Sequence, residues 1–81
     1  MTRLADALDH LEQGRWVEAH AIVQDDDSVP GCWAHGIVHI LEGDLANARY
    51  WYRRAGRTLP TAPVPADELK ALRTWTEEHQ Q

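Results

Sequence analysis

Hydrophobic positions recur along this chain at intervals of three and four residues, the spacing that gathers them on one side of a helix. Leu4, Ala7, Leu8 and Leu11 make the first such set, with Thr2 placed to cap it and Gly14 to stop it. Trp16, Ala19, Ile22 and Val23 make the second, on a helix that starts at Arg15 or Trp16. That helix is predicted to end before Asp25, Asp26 and Asp27, because the carbonyl end of a helix repels negative charge. A third helix starts at Ser28 or Val29 and tolerates Pro30 in its first turn, where a backbone N–H would be unpaired anyway. It runs to about Glu42 and stops at Gly43. Asp44 caps a fourth helix, Leu45 to about Ala55, which Gly56 closes. The segment TLPTAPV, with Pro60 and Pro63, reads as an extended connection. Pro65 then opens a fifth helix with Asp67 and Glu68 in its first turn and Leu69, Leu72 and Trp75 along one stripe. The closing residues EEHQQ are expected to fray. The pattern predicts an all-α protein, a single helical domain over residues 1–81, built from two stacked helical hairpins and a C-terminal helix.

Length narrows this picture. A chain of 81 residues is one domain at most and buries only about 60–65% of the surface its extended form exposes. Four tryptophans offset part of that disadvantage. The single cysteine excludes an internal disulfide and suits a reducing compartment. Acids stand in the first residues where a signal peptide would be apolar, and no apolar run is long enough for a membrane span. The expectation is a cytoplasmic protein without membrane contact. Net charge is −5, unevenly placed: residues 1–44 hold nine acids against two arginines, and residues 45–57 hold four arginines and no acid. That balance argues against nucleic acid as a partner. The three consecutive aspartates invite a calcium reading, but an EF-hand loop spreads its ligands over about twelve residues with a glycine at the sixth. A solvated turn is the expectation there.

Laying Gly14 on Gly43 brings His10 onto His39, Leu8 onto Ile37, Leu11 onto Ile40, Trp16 onto Leu45 and Ala19 onto Ala48. Each unit then reads as helix, glycine turn, helix. The second unit resembles a tetratricopeptide repeat. With Cys32 counted as its fourth position, Gly36, Gly43, Ala48, Tyr52, Ala55 and Pro60 fall where that motif has small, glycine, small, aromatic, small and proline. The resemblance implies two antiparallel helices in close approach. It departs at Cys32, His35 and His39, where the motif has bulky apolar or aromatic residues, and the first unit keeps little beyond Ala7, Gly14 and Ala19. The units are also offset by 29 positions (Gly14 to Gly43), against about 34 in the repeat. The longer string HGIVHILEGDLANARYWYRRAGR, with the EAH of residues 18–20 upstream, is similar to a signature of a small bacterial family of uncharacterised helical proteins. That resemblance spans roughly residues 16–60 and implies no activity.

The polar positions of the third helix carry the candidate chemistry. On a helical wheel Trp33, Ile37, Ile40 and Leu41 share one arc, and His35, His39 and Glu42 share nearly the opposite one, with Cys32 beside His39. The repeat register instead turns positions 32, 35, 36 and 39 toward the fourth helix. Together they predict a helix with neighbours on both sides and histidines at least partly buried, hence hydrogen-bonded. Three readings follow. In the first, which the sequence favours, each imidazole packs and is tied to a carbonyl or to Glu42, Asp44 or Glu18. In the second, His20, His35, His39 and Glu42 form a polar ligand pocket whose histidines bind or act as acid and base. In the third, His35 and His39, spaced i,i+4, share a metal ion with His20, Cys32 or Glu42. Residues 36–38 are Gly-Ile-Val, so the HExxH of metalloproteases is absent. No cofactor is expected on the first reading. Cys32, early in a helix with a histidine three residues on, is expected to have a lowered pKa, although Gly31 and Trp33 beside it suggest packing. His10 and His79 read as surface residues.

Asn47, Tyr50, Trp51, Arg53, Arg54 and Arg57 form a candidate partner-binding face, while Tyr52 points inward with Ala48 and Ala55. The structural alternative packs Trp51 on the Pro60–Pro65 connection or the fifth helix and pairs the arginines with the acidic first half. The leading expectation is therefore a non-catalytic, helical-repeat-like protein that binds a protein or peptide, or a second copy of itself. The competing expectation is a small enzyme or ligand-binding protein whose site gathers His20, His35, His39 and Glu42, with or without a metal.

Overall fold

A computed structural model describes residues 3–79. The cap read at Thr2 and the last two residues of the tail lie outside that range. Among the described residues there are five helices and no strand: α1 (Arg3–Glu12), α2 (Trp16–Val23), α3 (Val29–Glu42), α4 (Leu45–Arg54) and α5 (Pro65–Glu78). Glu77 and Glu78 still belong to α5.

Local chemistry sets these boundaries. The Ser28 hydroxyl accepts the Gly31 N–H at 3.0 Å and so caps α3. Ser28 in turn donates its own N–H and hydroxyl to Asp26 Oδ1, at 2.9 and 2.6 Å. The aspartate run is thus the turn that launches α3. Asp44 caps α4 by accepting the Asn47 N–H at 3.2 Å. Between them Gly43 takes φ +90°, and its N–H reaches the His39 and Ile40 carbonyls at 3.0 and 3.1 Å. A side chain is disfavoured in that left-handed conformation, so glycine ends α3 and reverses the chain within two residues. Gly14 and Gly56 adopt the same conformation.

Helix α3 is the axis of the molecule. It packs against α1, α2, α4 and α5, and α1 also packs on α2 and α5. Every residue from Gly31 to Ile40 is buried. The helix therefore has no solvated face, and its apolar and imidazole-bearing sides are both covered. Ala7, Leu8 and Leu11 of α1, Ala19 and Val23 of α2, and Leu69 and Leu72 of α5 join it in one core.

Helices α3 and α4 lie close together at Gly36. A Cβ added at Gly36 would lie 2.4 Å from Cδ1 and 2.6 Å from Cε1 of Tyr52, so glycine is what admits the tyrosine ring. Tyr52 is 1% exposed and donates its hydroxyl to Glu68 Oε1 at 2.6 Å, tying α4 to α5. Burial above all, and then the Glu68 carboxylate, push the Tyr52 pKa up, so the hydroxyl stays a donor. Arg57 places its guanidinium 3.6 Å from the centre of the Trp33 ring. Arg73 bridges α5 to α1 through Asp9 and Glu12, at 3.1 and 2.8 Å.

Candidate functional site

His35 and His39 stand one turn apart on α3, and the short connection after Val23 folds α2 back so that His20 faces them. The ring centroids are 4.8 Å apart for His20 and His35, 5.7 Å for His20 and His39, and 5.1 Å for His35 and His39. One nitrogen from each ring falls within 4.8 Å of the other two. His35 and His39 are 4% and 7% exposed, and His20 is half-buried. Of the residues read as a ligand pocket, His20, His35, His39 and Glu42 are thus brought together.

Glu42 fixes one of the rings. Its Oε1 lies 2.7 Å from His39 Nδ1. A carboxylate only accepts, so Nδ1 donates, and in the neutral ring that leaves the lone pair on Nε2. His35 is held differently. Trp51 stacks on it at 3.8 Å between centroids with 11° between planes. Its buried Nδ1 has no hydrogen-bond partner, contrary to the expectation that each buried imidazole is tied down. Leaving a buried polar atom unpaired costs about 1–3 kcal/mol, which a group bound at that nitrogen would recover.

Burial lowers the His35 pKa from 6.5 to about 4, with the His20 and His39 rings and the Arg54 guanidinium adding to the effect. The unfolded chain therefore takes up this proton first as pH falls. The stability due to the neutral ring is complete above about pH 6.5 and is lost as pH drops toward 4, by an amount on the order of 2 kcal/mol. Denaturant titrations of the metal-free protein should show that slope, and His35→Leu should flatten it.

Arg54 lies 5.0 Å from the Trp51 ring and 6.0 Å from Tyr50, with Nη2 3.6 Å from Asp27 of the acidic first half. Trp51 thus covers an imidazole instead of the proline connection or α5. Arg57 serves Trp33, and the Asn47 backbone serves the α4 cap. Tyr50, 49% exposed, and the exposed Arg53 keep open surface. Cys32 requires a correction. It is 1% exposed, burial raises its pKa, and its Sγ lies 3.9 Å from the Asp26 carbonyl. Desolvation outweighs the opposing pull of the Arg54 guanidinium there, and Cys32 is not grouped with the three imidazoles. His79 is exposed and stacks on Trp75, whereas His10, read as a surface residue, is half-buried.

The surroundings of the imidazoles are not legible in the sequence. Trp16, Val17 and Val38 wall a cleft of about 120 Å³ that reaches His20, His39 and Glu42. A second ligand grouping, His39 with Glu42 and Asp44, has both acids exposed and already engaged, one with His39 and one as the α4 cap. A larger groove of about 580 Å³ runs between α1, α3 and α5 over Leu11, Ile37, Leu41 and Leu69, away from the imidazoles. No described helix is long and apolar enough to cross a membrane.

No protein-family model, curated protein or solved structure matches the chain.

Proposed function

We propose that this protein binds a divalent transition-metal ion between His20, His35 and His39. The observation that carries this reading is the convergence of three imidazoles from two helices, two of them buried and one with a ring nitrogen left unpaired. His10 Nδ1 and Trp33 Nε1 are also buried and unpaired, so the convergence of the three rings carries the reading and the unpaired nitrogen only adds to it. Ligation requires neutral rings, and the depressed His35 pKa keeps that ring unprotonated near neutral pH. Imidazole donors favour zinc, copper, nickel or cobalt over calcium or magnesium. The Glu42–His39 pair supplies the outer carboxylate that orients a metal-bound histidine and raises its basicity. A tetrahedral zinc with bonds of about 2.0–2.1 Å holds its nitrogens about 3.4 Å apart. The site must therefore contract, and half-buried His20, with no side-chain hydrogen bond among the described residues, is the ring free to move inward.

The test is metal content after purification without a polyhistidine tag or nickel resin. One equivalent of zinc, nickel, copper or cobalt supports the proposal, and protein that neither carries nor takes up such an ion overturns it. Glu42→Gln should weaken binding by about 10–100-fold while leaving one site per chain, as read by competition with a chromogenic chelator.

A second reading is favoured by the exposure of Tyr50 beside Arg53 and Arg54: docking of a protein or peptide, or of a second copy, on the arginine–aromatic face. A monomer by light scattering whose behaviour is unchanged by Tyr50→Ala would end self-association through that face. The packing of α1 on α2, α2 on α3 and α3 on α4 supports reading the first four helices as two tetratricopeptide-like hairpins, with α5 laid across α1 and α3. The HILEGDLANARYWYRRAGR string supports kinship with the bacterial helical family it resembles, and the free Cys32 suits a reducing, cytoplasmic setting.

A further inference from the structure

A structural zinc site is closed by four protein ligands, whereas a reactive one has three and keeps a position open. The cluster supplies three nitrogens. The other donors nearby are committed elsewhere: Glu42 to His39 Nδ1, Asp44 to the α4 cap and Cys32 to the Asp26 carbonyl. On the His35 side the stacked Trp51 ring closes the site at 3.8 Å. On the other side the cleft of about 120 Å³ borders two of the three imidazoles. Trp16, Val17 and Val38 wall it, the Glu42 carboxylate that holds His39 also lines it, and Val17 is 62% exposed.

Resting on the metal reading, we infer that the bound ion keeps one open coordination position facing this cleft and accepts a small monovalent anion there in place of water. Size and charge both point to that class. A cleft of about 120 Å³ has room for a small ion. Three neutral imidazoles leave the ion's double positive charge uncompensated at the metal, and apolar walls of low dielectric strengthen its attraction for an anion. Glu42, already paired with His39, moderates that charge without occupying the position. The centre is therefore built to exchange a ligand as well as to hold an ion.

Cobalt(II) reports on the position directly, because its visible absorption changes with coordination. Protein loaded with one equivalent of cobalt should show a saturable change on titration with azide, at one azide per metal. Val17→Trp fills the cleft from an exposed position, so the variant should fold. It should weaken azide binding by at least about tenfold while leaving cobalt stoichiometry and affinity unchanged. Cobalt bound by the histidines with a spectrum indifferent to azide would overturn the open position and leave the metal reading standing. Azide binding that ignores Val17→Trp would overturn its placement in this cleft. No cobalt bound at all would overturn both.

Discussion

Zinc is expected to raise the melting temperature of the native protein, and replacing His35 and His39 together by alanine is expected to abolish that rise. An ion that binds only the folded chain stabilises it by about 4 kcal/mol when present at a thousand times its dissociation constant. In a domain of this length each kcal/mol moves the midpoint by about 4–8 °C, so the increment should be on the order of 15–30 °C. The two alanines remove two of the three nitrogens and leave His20 and Glu42, which hold an ion weakly. Each variant must be compared with itself, with and without zinc, because the substitution also shifts metal-free stability in two opposing ways. It opens a cavity beneath Trp51, and it deletes the unpaired Nδ1 of His35. His20→Ala, which keeps the i,i+4 pair, should retain an intermediate increment. A double variant stabilised by zinc as much as the native chain would place the ion elsewhere.

Gly36→Ala is expected to destabilise the protein by about 1–3 kcal/mol, although helix propensity alone favours alanine by about 1 kcal/mol. The new methyl would sit 2.4 Å from Cδ1 of Tyr52 and 3.3 Å from the Ala48 carbonyl oxygen. Neither neighbour yields easily, since one is backbone and the other is a buried ring anchored by its bond to Glu68. The variant must therefore push α4 away from α3, and with it the Trp51 ring that covers His35. Tyr52→Leu should remove most of the penalty, so that the two substitutions cost less together than their sum. A Gly36→Ala protein as stable as the native one, by denaturant unfolding, would mean that the two helices lie farther apart than described.

The elements were legible because their ends are local chemistry. Ser28, Gly43, Asp44 and Pro65 mark the boundaries with their own side chains or their own φ, whatever the rest of the chain does. The burial of α3 on both sides was legible only by setting its wheel against its repeat register, since either alone assigns a single inward face. Convergence of His35 and His39 follows from helical spacing, and His20 joins them because so short a turn leaves α2 against α3. What was hidden depends on how helices lie on one another. Trp51 and His35 are sixteen positions apart on different helices, and their rings stack where α4 lies against α3 beside the Gly36–Tyr52 contact. Cys32 failed for the same reason. Its position in the first turns of a helix is visible in the sequence, but the burial that raises its pKa belongs to the assembled core.

X-ray absorption at the metal edge of zinc-loaded protein tests the central proposal most directly. The account predicts three imidazole nitrogens at about 2.0–2.1 Å and one exchangeable non-imidazole ligand, with the imidazole signal reduced by one ring in His20→Ala. A spectrum of oxygen ligands alone, or one that His20→Ala leaves unchanged, would contradict it.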